Sequence, residues 1–148
     1  MGYEDVLQEL APCGLNCRKC MANQDGDIRK TSERLLRLLG SFDSYAKRFS
    51  VFLPAFQDYP AFKRLLMHFA QGDCRGCRVG DCKLPDCQVL ACCQAKGVDF
   101  CGQCEEFPCE GTSFDADLTR RWLQMNTRIK EIGVEAYYEE TKDLPRYV

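Results

Sequence analysis

A chain of 148 residues with a net charge of −2 and acids and bases interspersed is long enough for one core, and it is not a general nucleic-acid binder. Twelve of its residues are cysteines, in two groups: Cys13, Cys17 and Cys20, then nine between Cys74 and Cys109. No stretch approaches the roughly 18 apolar residues of a membrane span, so no membrane role is read.

The opening ten residues carry three acids and no apolar run, which predicts no export signal and a cytoplasmic chain. Residues 1–26 are read as an N-terminal cysteine loop, with Pro12 and Gly14 breaking regular structure around the first group. Over 27–72 helices are expected. Asp27 is placed as an N-cap before Ile28, Leu35, Leu36 and Leu39, with Gly40 as the stop. Tyr45, Phe49, Phe52 and Phe56 then share one helical face, broken at Leu53 by Pro54. Pro60 opens a further helix with Phe62, Leu65, Leu66 and Phe69 on one side, ended by Gly72. Its His68, the only histidine, is read as an ordinary side chain rather than a fourth ligand.

Residues 73–112 form the cysteine-rich segment, glycine-laden and poor in large apolar side chains. Hydrophobic burial alone does not offset the entropy of ordering it, so a cross-link is required. A short helix is expected from Asp86 to Lys96, capped by Gly97. Over 113–148, Leu118, Trp122, Met125, Ile129 and Ile132 make the clearest amphipathic stripe, ending at Gly133, and Val134–Lys142 forms a last helix. The whole is read as a single, mainly α-helical domain carrying an irregular, metal-stapled segment.

Three pairs, Cys17/Cys20, Cys74/Cys77 and Cys101/Cys104, have two residues between their sulfurs. That spacing lets a tight turn aim both thiolates at one ion. Reducing cytosol favours metal thiolates over disulfides. Zinc is the expected ion, two to three per chain, in mainly structural sites; the alternative is an iron–sulfur electron carrier or redox sensor, since thiolate ligation alone does not separate them. Cys13-x₃-Cys17-x₂-Cys20 matches the cluster spacing of radical S-adenosylmethionine enzymes, but a short helical chain lacks their barrel. The ferredoxin run Cys-x₂-Cys-x₂-Cys-x₃-Cys-Pro is not matched. No βαβ pattern suits a thioredoxin-type pair, and all-cysteine sites point away from an enzyme. Cys92 and Cys93 are adjacent, so one of them is expected to be a buried bystander. The N-terminal trio needs a fourth sulfur from the distant segment, with Cys109 and Cys87 as candidates.

At Cys13-Gly-Leu-Asn-Cys-Arg-Lys-Cys20 and Cys101-Gly-Gln-Cys-Glu-Glu-Phe-Pro-Cys109 the chain resembles an uncharacterised cysteine-rich bacterial and archaeal family. That family shows CGLxCxxC, CxGC (here Cys74–Cys77) and CxxCxxFPC. The resemblance implies metal binding through Cys13, Cys17, Cys20, Cys74, Cys77, Cys82, Cys87, Cys92, Cys101, Cys104 and Cys109, with Cys93 the bystander. It implies no activity. A protein partner is the one kind of partner left open, as for an interaction module.

Overall fold

The computed structural model describes residues 1–148 and is mainly helical, without strands. Seven α-helices follow one another: α1 Tyr3–Glu9, α2 Asp27–Leu39, α3 Phe42–Phe49, α4 Tyr59–Ala70, α5 Val89–Lys96, α6 Ala116–Ile132 and α7 Val134–Thr141. No helix is long and apolar enough to cross a membrane. The chain divides into two compact units: Met1–Cys20 with Cys74–Val148, and Met21–Asp73.

The Met21–Asp73 unit contains α2, α3 and α4 and no cysteine. Here α2 packs on α4, with Ala46, Tyr59, Leu66 and Ala70 buried. Helix α3 stops at Phe49, earlier than the expected break at Leu53. Pro54 forces Leu53 into extended backbone (φ −121°, ψ 96°), and the chain unwinds over the residues before it. A 3₁₀ turn, Pro54–Asp58, then leads into α4.

The other unit has two adjoining apolar clusters. In the first, Val6 and Leu10 meet Phe100, Ile129, Val134, Tyr137 and Tyr138, so α1 is held by α6 and α7. Helix α1 was not expected from the sequence, although Tyr3, Val6, Leu7 and Leu10 have helical spacing. The second cluster surrounds Trp122 and is built from Ala11, Cys13, Cys17, Val89, Cys93 and Phe107. Helix α6 carries both clusters on one face. It begins at Ala116, with the Asp115 carboxylate accepting from the Leu118 amide at 2.8 Å. Helix α5 begins at Val89 rather than Asp86, because Asp86 adopts a left-handed backbone (φ 58°) that a helix does not admit.

Candidate metal centre

All twelve cysteines lie in one unit, and none is in a disulfide. The N-terminal loop that carries the first three is a tight reversal. Leu10 bridges Asn16, the Ala11 amide donates to the Leu15 carbonyl at 2.8 Å, and the Cys17 amide donates to Glu9 at 2.7 Å.

Two polar side chains fix this loop against the distant cysteine segment. Asn126, on α6 and fully buried, accepts from the Gly102 amide at 2.9 Å and donates to the carbonyls of Cys13 (2.8 Å) and Trp122 (2.9 Å). The close approach explains Gly102, since a Cβ there would lie 2.6 Å from the Asn126 carbonyl oxygen. Arg78 donates to the carbonyls of Leu7 (3.0 Å), Leu10 (3.1 Å) and Asp99 (3.0 Å), with its guanidinium 4.6 Å from the centre of the Phe100 ring. The Cys101 amide adds a bond to the Pro12 carbonyl at 3.0 Å.

Sequence reasoning missed both clamps. Asn126 carried a signal, because a polar residue four after Trp122 and three before Ile129 falls on the apolar stripe. Arg78 carried none that separates it from other surface arginines.

The thiols that meet the N-terminal group are Cys74 and Cys77. Cys77 packs against the buried cluster that holds Cys17, the neighbouring Arg78 donates to the carbonyls of Leu7 and Leu10, and the charges of Cys20 and Cys17 help to raise the Cys74 thiol. So the two Cys-x₂-Cys pairs that begin at Cys17 and Cys74 stand side by side, whereas Cys109 lies exposed. Arg75 and Asp81 pair at 2.7 Å and close the loop over the second pair. The Cys74 sulfur accepts from the Gly76 amide at 3.4 Å and donates to the Asp81 carbonyl at 3.2 Å.

Electrostatics distinguishes the members of each pair. The Cys77 thiol donates to Cys17 and pulls Cys17 down to about 6, helped by the Cys77 amide and by Arg146 and Arg78 and opposed by burial. Cys77 is pushed up for the reciprocal reason. Burial raises Cys13 to about 12, and raises Cys74 and Cys87 as well.

A second pairing joins Cys93 and Cys101, whose sulfurs are 3.9 Å apart. The Cys93 thiol lowers Cys101 to about 7 against the effect of burial, and is itself raised. Cys82, Cys92 and Cys109 are exposed, and Cys20, Cys87 and Cys104 are half-buried. No three of these sulfurs converge on one point at coordinating distance. Cys13, Cys17, Cys74 and Cys93 are the buried members of the set.

A family model described as a protein of unknown function (DUF3795) matches residues 9–114 of the chain, which includes every cysteine. No curated protein and no solved structure matches it.

Proposed function

The chain belongs to this family of unknown function, and we propose that it is a cytoplasmic zinc-binding protein whose thiolate sites hold its shape. One observation carries the reading. Two Cys-x₂-Cys pairs from distant parts of the sequence, Cys17/Cys20 and Cys74/Cys77, are neighbours in the fold. Four thiolates presented as two such pairs are the donor set of a closed tetrahedral zinc site. The Cys77 thiol beside Cys17 favours loss of the Cys17 proton, which each ligand must lose to bind. Zinc here would supply charge and geometry without redox chemistry, joining the N-terminal loop to the segment that follows Cys74. Its role is structural, and the surface it fixes would serve a protein partner.

Metal analysis of anaerobically purified protein tests this directly. Two to three zinc ions per chain, removed by chelator with loss of tertiary structure, is the expected result. A brown protein containing iron and inorganic sulfide would overturn zinc in favour of an iron–sulfur centre. A metal-free protein that stays folded with all thiols reduced would overturn both.

A further inference from the structure

We propose that a second zinc site is built on Cys93 and Cys101, completed by Cys13 and Cys104, and that the Trp122 indole N–H bonds to its Cys101 sulfur. The proposal rests on the reading that these thiols hold metal, and it assigns a ligand role to Cys93 in place of Cys92.

Adjacent residues of a helix point about 100° apart, so α5 cannot aim both sulfurs at one ion. Cys93 is the buried one, at 4% exposure, and Cys92 faces solvent. With Zn–S bonds of about 2.3 Å, neighbouring sulfurs of a tetrahedral site lie about 3.8 Å apart. The Cys93–Cys101 separation of 3.9 Å is already that edge. A disulfide would require about 2.05 Å, so the pair is spaced for an ion rather than a covalent bond. Cys104 follows Cys101 at chelating spacing and borders the same buried cluster as Cys13. Cys13 belongs to the buried cluster against which Cys101 packs, and its carbonyl is fixed by Asn126.

Trp122 supplies an independent observation. Its side chain is 1% exposed, and its indole N–H has no partner at full hydrogen-bonding geometry. The Cys101 sulfur packs against the same buried cluster, and the indole helps to hold its thiol low. A buried donor without an acceptor destabilises the fold, because it gave up its bond to water. A neutral thiol is a weak acceptor, whereas a charged one bonds about twice as strongly as a neutral group. The indole is therefore placed for a Cys101 sulfur that carries charge, as a zinc-bound one does.

The test uses the full chain loaded with zinc under reducing conditions. Iodoacetamide labelling mapped by mass spectrometry should modify Cys92 at least tenfold faster than Cys93, and chelator should abolish the difference. Cys92→Ser should keep the full zinc complement, and Cys93→Ser should lose one ion while keeping the ion at Cys17, Cys20, Cys74 and Cys77. Trp122→Phe, which keeps a ring against Phe107, should shift the charge-transfer band of the cobalt-substituted protein. A role in packing alone would leave that band in place.

Equal labelling of Cys92 and Cys93 in the zinc-loaded chain would overturn the assignment, even if Cys93→Ser failed to fold. So would loss of an ion from Cys92→Ser with none lost from Cys93→Ser. A chain that takes up no zinc would overturn the parent reading as well, and direct metal analysis separates that failure from the others.

Discussion

The two units of this chain are held in different ways. The Met21–Asp73 unit has no cysteine and is organised by helix faces, α2 against α4, around Leu66, Tyr59 and Ala70. The unit that gathers the cysteines also has an apolar core, at Val6, Phe100, Ile129 and Trp122. Between Cys74 and Cys109, Val89, Phe100 and Phe107 reach this core, and polar clamps from Arg78 and Asn126 fix the backbone around the cysteines. Repeating apolar side chains specify the first arrangement locally. The second depends on groups brought together from distant parts of the sequence, so it is the one that loss of a single type of interaction should dismantle.

Metal removal is the strongest way to separate the two. On the proposed reading, structural zinc would contribute on the order of 10 kcal/mol per site, more than any other single interaction in the chain. The only tryptophan, Trp122, lies in the cysteine-bearing unit and reports on it selectively. Chelator under reducing conditions should shift its fluorescence to the red and abolish its near-ultraviolet circular dichroism. The far-ultraviolet helical signal should fall only in part, because α2 to α4 need no sulfur. Complete, simultaneous loss of both signals would show that the units do not differ in this way.

Asn126→Ala comes next in size. The substitution strands the buried Gly102 amide and the Cys13 carbonyl together. At about 1–3 kcal/mol for each unsatisfied group, the loss should reach several kcal/mol, measured by urea denaturation followed through Trp122. Zinc affinity should fall with it, since both stranded groups belong to loops that carry sulfur. A loss below about 1 kcal/mol would mean that water satisfies these groups and that the clamp matters little.

These clamps also mark where the sequence stops being readable. Helices α2, α4, α6 and α7 were legible because their apolar residues repeat at helical period and their ends carry Asp, Pro or Gly. Helix α1 was legible in principle from Tyr3, Val6, Leu7 and Leu10, but the cysteine loop after it drew the reading away. The start of α5 was not legible, because nothing local announces the left-handed backbone at Asp86. Spacing marked Cys17/Cys20 and Cys74/Cys77 as chelating pairs. It could not match one pair to the other, because that depends on how α1 and α6 bring the loops together. Nor does spacing choose between Cys109 and Cys87, the two candidates for the fourth sulfur beside Cys13, Cys17 and Cys20.

Leu66→Ala tests the opposite side of the comparison. Leu66 is buried at 5% exposure on α4, in the unit without cysteine. Truncating a buried leucine costs about 2–5 kcal/mol, depending on how far the site collapses. The helical signal should melt earlier by that amount, while zinc content and Trp122 fluorescence of the folded protein stay as in the wild type. Loss of zinc from this variant would show that the sulfur sites draw on the leucine-faced helices for their geometry.

The smallest effect should come from Asp43→Asn. Asp43, on α3, accepts from the Lys63 ammonium on α4 at 2.6 and 2.7 Å, and this bond holds the Asp43 carboxyl below its ordinary range. The folded value lies below the unfolded one, so the pair adds stability above about pH 4 and loses it as pH falls through the folded value. Both side chains are open to solvent, and exposed pairs of this kind contribute little and are screened by salt. At neutral pH and moderate salt the variant's melting temperature should be within error of the wild type, with a small deficit emerging only at low ionic strength. A large, salt-independent loss would mean that charge, rather than the Leu66 and Tyr59 faces, positions α3 on α4.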